Sequence, residues 1–285
     1  TCVILDNASV KCWGENNQGE MGKGNSDEIG EEPNEMGDNL TVVDLGTGRT
    51  ATAISAGTDF TCALLDNASV KCWGKGSNGR LGTGNTNNIG DGSNEMGDNL
   101  AVVDLGTGRT ATAISAGTDH ACVILDNASV KCWGDGNNGK LGLGSTSDLG
   151  DGSNEMGDNL AAVDLGTGRT ATAISASYRH TCALLDDASV KCWGDGSQGQ
   201  LGHGSTSDLG DGSNEMGDNL AVVDLGTGRT ATAIETSNYS SCALLDNSEV
   251  KCWGYGNYGV LGTGSYSNIG RVANEMGDNL TAVDL

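Results

Sequence analysis

The sequence predicts an all-β repeat protein built of β-propeller-type blades, and three observations carry that prediction. A cysteine-bearing stretch recurs every 60 residues, beginning at Thr1, Thr61, Ala121, Thr181 and Ser241, with no insertion or deletion. A period in this range marks a solenoid, propeller or array, because such a unit cannot bury both its faces alone. Each copy holds two cysteines ten apart with a polar turn between them and Trp-Gly directly after the second. Each complete copy also holds four short strand-like runs punctuated by glycine, the cadence of a propeller blade. The expected units are 1–60, 61–120, 121–180, 181–240 and the incomplete 241–285.

Taken from Ala51, the elements of one unit follow in order. Ala51-Thr-Ala-Ile-Ser55 alternates small or apolar residues with polar ones, as a half-buried strand does. A variable loop, Ala56 to Phe60, separates it from a second strand, Thr61 to Leu65. Asp66-Asn67-Ala68-Ser69 is turn chemistry, since Asp and Asn cap their own backbone. Val70-Lys71-Cys72-Trp73 then returns as the other arm of a hairpin. The loop after Gly74 is glycine-punctuated and turns tightly. Asn94-Glu-Met-Gly-Asp-Asn99 leads into a fourth strand, Leu100 to Leu105, and Gly106-Thr-Gly108 joins the next unit. The chain opens inside a strand-like run and stops before another Ala-Thr-Ala-Ile-Ser copy. The expectation is therefore about five four-stranded blades with one strand missing, alone or as part of a larger ring or array. A processed product or a piece of a longer chain fits that pattern.

Hairpin geometry assigns the cysteines. With the turn centred near Asn67, Cys62 and Cys72 lie opposite one another on one face, within disulfide reach. The same pairing is expected of Cys2 with Cys12, Cys122 with Cys132, Cys182 with Cys192 and Cys242 with Cys252. A bridge closing so short a loop stabilises by roughly 2.5–3 kcal/mol in the chain-entropy model. Trp13, Trp73, Trp133, Trp193 and Trp253 point to the opposite face and serve as packing residues.

These residues carry a family resemblance. The run Cys62-Ala-Leu-Leu-Asp…Val70-Lys-Cys-Trp-Gly74…Gly79-x-Leu81-Gly82-x-Gly84, after Ile54-Ser-Ala-Gly57, resembles the regulator-of-chromosome-condensation (RCC1) repeat. It is most similar to cysteine-bearing variants in extracellular and modular proteins, and the similarity recurs in all five units. The resemblance implies four-stranded blades in a ring. The N-E-M-G-D-N-L segment, which lengthens each unit, departs from it. Activity does not follow from the fold: the namesake is a nucleotide-exchange factor for a small GTPase, and a plant photoreceptor of this fold uses clustered tryptophans.

Composition narrows the partners. The net charge of −23 opposes nucleic acid, which needs a basic face to displace counterions, and opposes anionic membrane surfaces. No apolar run approaches the ~20 residues of a membrane helix. Ten paired cysteines, spaced wrongly for zinc, fit an extracellular or cell-surface location better than a reducing cytosol. Six sequons, at Asn7, Asn39, Asn67, Asn127, Asn238 and Asn279, are glycosylation candidates, three of them at one hairpin tip.

Candidate sites are few. Units starting at Thr61 and Ala121 share 45 of 60 positions, and such uniformity argues against an asymmetric catalytic centre. No catalytic residue is assigned, and His120, His180 and His203 read as packing residues. Asp148, Asp151, Asn154 and Asp158 concentrate oxygen ligands, so calcium is the one cofactor considered there. The alternative is a capped turn in which Asn94 and Asp98 bond local amides. Variation between units concentrates after Trp-Gly and before the first cysteine, as surface loops or a ligand face would show. The leading expectation is a non-enzymatic extracellular assembly protein, self-associating into a filament through its open sheet edge. The alternative is a propeller that binds protein or carbohydrate through its variable loops. A GTPase exchange-factor-like regulator ranks below both.

Overall fold

The computed structural model describes residues 1–285 and contains five antiparallel sheets, one of two strands and four of three. It divides into two compact units. The first comprises 1–126, 133–135 and 148–161; the second comprises 127–132, 136–147 and 162–285.

The first unit begins with the two-stranded sheet, β1 (Cys2–Ile4) and β2 (Val10–Cys12). Its next sheet orders β3 (Ala51–Ala56), β4 (Phe60–Leu65) and β5 (Val70–Gly74) side by side. Then follow β6 (Ala111–Ala116) and β7 (His120–Leu125), paired with Ile114 opposite Val123. β8 (Val130–Gly134) is divided between the two units. The second unit holds β9 (Ala171–Ala176), β10 (His180–Leu185) and β11 (Val190–Gly194) in one sheet. Its last sheet is β12 (Ala231–Thr236), β13 (Ser240–Leu245) and β14 (Val250–Gly254).

The hairpin loop sets the register. Leu65 N donates to Ser69 O and Ala68 N to Leu65 O, both at 2.9 Å, leaving the three-residue loop Asp66-Asn67-Ala68. Its last residue, Ala68, sits in the left-handed region at φ 62°, as a type I turn followed by a bulge requires. Leu65 and Ser69 are thus a hydrogen-bonded pair. Counting back by alternation makes Cys62 and Cys72 a non-hydrogen-bonded pair, the closest approach a ladder offers. Their Cα atoms lie 4.1 Å apart and their sulfurs are bonded; Cys2–Cys12, Cys182–Cys192 and Cys242–Cys252 repeat the arrangement. Cys122, on β7, and Cys132, on β8, are also both disulfide-bonded. No cysteine is free.

The fourth strand of each blade departs from expectation. Leu100–Leu105 is extended but forms no ladder, meeting β5 through one bond from Val103 N to Val70 O at 2.8 Å. Its chemistry explains this: Leu100, Val103 and Leu105 are buried while Val102 is half exposed, a spacing of three and two that a flat strand cannot present to one face. The blades accordingly have three strands and an apolar strap. In the first unit Val43 and Leu45 of the preceding strap, with Leu100, pack with Val10, Met21, Ala63 and Trp73 around one core. In the second, Leu225 and Leu280 pack with Leu184, Val190, Leu201 and Trp253.

Successive repeats are joined by the same contacts within each unit. Trp73 Nε1 donates to Glu20 O at 3.0 Å and Trp133 Nε1 to Arg80 O at 3.1 Å. In the second unit Trp193 and Trp253 reach Lys140 O and Gln200 O. These four indoles have no exposed surface, whereas Trp13 is half-buried. Gly79, at φ 73°, illustrates the glycine requirement: a Cβ there would collide with the backbone of Asp151. No helix is long and apolar enough to cross a membrane.

Candidate functional site

The structure brings the two variable stretches of each repeat together. The loop before the first cysteine and the segment after Trp-Gly are tied by one backbone bond in every repeat that holds both. Lys75 N donates to Asp59 O, Asp135 N to Asp119 O, Asp195 N to Arg179 O and Tyr255 N to Tyr239 O, at 2.8–3.0 Å. Invariant backbone therefore presents variable side chains, the division of labour expected of a binding surface.

What these pairs display changes from repeat to repeat. Lys75 Nζ meets Asp59 at 3.0 Å, a half-buried surface ion pair of small energetic value. Nearby, Arg80 is almost wholly buried, bonded to Asp119 at 2.8 Å and lying 5.8 Å from the Phe60 ring centre. In the second unit the chemistry becomes aromatic. The Arg179 guanidinium stacks over Tyr178 at 4.8 Å and faces Asp195 at 3.7 Å. Tyr239 meets Tyr178 edge-on at 5.5 Å, and Tyr255 meets Tyr239 at 6.2 Å and 56°. Tyr239, Tyr255, Asn238 and Val260 line a recess of about 360 Å³. All five tyrosines of the chain lie between 178 and 266, so this island has no counterpart in the other repeats.

Beneath the island lies His180, fully buried between two hydroxyls, with Ser177 Oγ and Ser241 Oγ each 2.8 Å from a ring nitrogen. Burial pushes its pKa down to about 3, so the ring is neutral. No carboxylate orients it as in a nucleophilic triad. Partly buried His203 is likewise held below its ordinary pKa by burial, near Cys192 O.

The residues considered for calcium are engaged in other contacts. Asp148 accepts from Asn78 Nδ2 at 2.8 Å, and Asp158 accepts Thr107 N and Oγ1 at 2.8 and 2.5 Å. Asn154 adopts a left-handed turn conformation, and Asp151 is set against Glu155, with its pKa raised first by burial. No group of three or more His, Cys, Asp or Glu is placed to hold a metal ion. The turn is capped instead by a residue the sequence did not single out. Glu95 Oε2 accepts Gly90 N and Gly92 N at 2.8 Å, and Glu155, Glu215 and Glu275 repeat the cap. Asp98 is not a local cap either: it accepts Thr47 N and Oγ1, 51 residues away.

A second group the sequence did not mark is the strand lysine. Lys71 Nζ donates to Leu45 O and Gly97 O, and Lys191 and Lys251 make the same pair of bonds. Burial lowers the pKa of Lys71 and Lys191. Its signal was available: a lysine between Val and Cys in every repeat sits where alternation predicts a cross-sheet position.

Asn7, Asn39, Asn67, Asn127, Asn238 and Asn279 are all exposed. Asn7 and Asn67 each accept bonds from the Ser two residues on, so their tips are pre-formed turns.

Known proteins share this geometry. The regulator of chromosome condensation (RCC1) repeat matches residues 51–80, 111–140, 171–200 and 231–260. The ultraviolet-B receptor UVR8 of Arabidopsis thaliana is 28% identical over 208 residues, covering 72% of this chain and 42% of the receptor. The chain thus spans less than half the length of that relative. The crystal structure of human WBSCR16 superposes on all of this chain with a TM-score of 0.71 at 17% identity, covering 64% of that protein. Yeast RCC1 (Prp20), solved bound to Kap60, gives 0.54 at 15% identity, again over all of this chain and 72% of that one. At such identities the two structures speak to the fold alone.

Proposed function

We propose, from the premise that this chain is an RCC1-type repeat protein of β-propeller blades, that it is a disulfide-stabilised module that binds protein partners through its variable-loop face. One observation carries the reading: identical backbone bonds at four successive repeats present an ion pair, two carboxylates, an arginine–carboxylate pair and an aromatic pair. Core packing requires none of these differences, because the buried Val, Cys and Trp positions beneath them are the same. The disulfide in every repeat supports an extracellular or otherwise oxidising location, and the exposed Asn7, Asn67 and Asn127 tips are the proposed glycan sites.

Selection from a random-peptide display library on the immobilised chain tests the reading. A variant with residues 177–179 and 237–239 each replaced by Gly-Thr-Asp, the sequence at 57–59, serves as the counter-target. Enriched peptides that lose affinity for the variant support the face as the binding surface. No enrichment, or equal binding to both, overturns it.

A filament reading is favoured by a different feature. The repeats are close to identical, with 45 of 60 positions shared between those starting at Thr61 and Ala121, and units that stack on their own copies within one chain can stack on copies in another. Sedimentation of the pure chain at rising concentration decides it: growth in size supports assembly, and a constant monomer excludes it.

A further inference from the structure

We infer that the Tyr239–Tyr255 recess is a docking site for an arginine- or lysine-bearing segment of a protein partner. The inference rests on the variable-loop face being the binding surface and names the partner's chemistry.

Three features of the second unit converge on this recess. The rings do not form a flat platform. Tyr239 stands at 83° to Tyr178 and Tyr255 at 56° to Tyr239, so their faces wall a cleft rather than pave a surface. Steeply angled aromatic walls suit a cation carried on an aliphatic stem, which gains from both ring faces and apolar contact. A sugar ring favours a flat aromatic face instead. The chain itself shows the preference, for the first ring of the row already holds the Arg179 guanidinium at 4.8 Å. The remaining two rings border a recess whose lining, Ser237 to Ser240 with Tyr255 and Val260, carries no lysine or arginine.

Charge supplies the second argument. A chain with 38 acidic and 15 basic residues attracts a cationic segment from a distance and repels an acidic one. Aromatic walls then supply the short-range discrimination that diffuse charge lacks.

Third, the recess has been made at a local cost. In the first unit Arg80 bonds to Thr118 O and ion-pairs with Asp119. The corresponding positions here are Gln200 and Tyr239. Gln200 has no exposed surface, and its Nε2 has no hydrogen-bond partner. A buried orphan donor is destabilising, and a chain that repeats a satisfied solution elsewhere has no structural need of it. Loss of the carboxylate at 239 for a ring is what opens the aromatic cleft.

The test is titration of the intact, oxidised chain with a peptide of alternating arginine and glycine, read by calorimetry at physiological salt. A citrulline–glycine peptide of the same length removes the charge while keeping the shape. Oligoproline and a maltooligosaccharide represent the other occupants of aromatic clefts. The arginine peptide is expected to bind and the citrulline peptide not. Tyr239→Ala/Tyr255→Ala should weaken binding by about tenfold or more, as loss of two cation–π faces implies. Tyr239→Phe/Tyr255→Phe, which keeps both faces, should stay within about threefold of the parent. Tyr266→Ala, at an exposed tyrosine that does not line the recess, should change nothing, and unchanged melting temperatures certify the folds.

Equal binding of the arginine peptide to parent and alanine pair would reduce the effect to diffuse charge and overturn the inference. So would no binding at all, or tyrosine-dependent binding of oligoproline or sugar instead. If the arginine peptide fails while library peptides still distinguish the loop-exchanged variant, only the assignment of the recess falls. If the library selection also fails, the binding face itself is rejected.

Discussion

Trp73 and Glu20, 53 residues apart, are joined by an indole N–H to carbonyl bond of 3.0 Å. The same carbonyl accepts Thr61 Oγ1 at 2.9 Å, so two side chains of one repeat fasten to one backbone oxygen of the repeat before it. Trp73→Ala should therefore cost about 3–5 kcal/mol, the usual range for emptying a buried aromatic site. Trp73→Phe should cost less, because Thr61 still satisfies the Glu20 carbonyl and most of the apolar volume remains. Urea midpoints of the two variants check the order. Equal losses would mean that the bond, not the packing, holds the joint.

Each cystine bridges a hairpin whose arms are already paired, so its contribution lies mainly in the unfolded chain. Removing one bridge with Cys62→Ala/Cys72→Ala should lower stability by about 2.5–3 kcal/mol on the chain-entropy account, with the fold retained. Circular dichroism should show an unchanged sheet spectrum and a reduced urea midpoint. Reduction of the whole chain should have a several-fold larger effect, since a disulfide recurs in every repeat. A reduced chain as stable as the oxidised one would remove the basis for an oxidising location.

The parts legible in the sequence are those set by local chemistry. Cysteines ten apart around Asp-Asn-Ala-Ser dictate a hairpin and its bridge, and alternation places Trp73 on the face away from Cys72. Leu100–Leu105 misleads because a short apolar run reads equally as strand or strap; burial of Leu100, Val103 and Leu105 is decided by the blade beneath. Asp98 reads as a local cap, yet its partner Thr47 lies in the preceding repeat, and sequence distance hides such a choice. The aromatic island is hidden for the same reason. Tyr178, Tyr239 and Tyr255 lie on three separate loops, and only the bond between 239 and 255 and the stacking of adjacent blades make them a row.

Ala68 occupies a left-handed conformation, φ 62°, shared by Ala8, Ala128 and Ala188 at φ 60–63°. A non-glycine residue there pays about 1–2 kcal/mol of steric cost. Part of that is offset by the lower entropy of the unfolded alanine chain. Ala68→Gly should accordingly stabilise by about 0.5–1 kcal/mol, and the four changes together should add, since each tip belongs to a different repeat. Thermal melts of the single and fourfold variants measure it. A lower melting temperature for the fourfold variant would mean that these tips are not strained.

His180 gives the fold a pH dependence of definite sign. Its folded pKa of about 3 lies below the ~6.5 of an unfolded histidine. Between these values the unfolded chain binds the proton that the folded chain excludes, so stability is full above about pH 6.5 and falls on acidification. The limiting slope for one group is about 1.4 kcal/mol per pH unit. Asp218 and Asp278, held low by the Thr167 and Thr227 bonds, act in the same direction but only below about pH 4, where ordinary carboxylates protonate. The two sources separate by substitution. His180→Phe, the residue found at the corresponding position 60, should flatten the urea midpoint between pH 6.5 and 4.5 and leave the steeper loss below pH 4. It should also lower the plateau at neutral pH, because Ser177 Oγ and Ser241 Oγ each lose a ring nitrogen partner. A variant that kept the full slope above pH 4.5 would place the titrating group elsewhere.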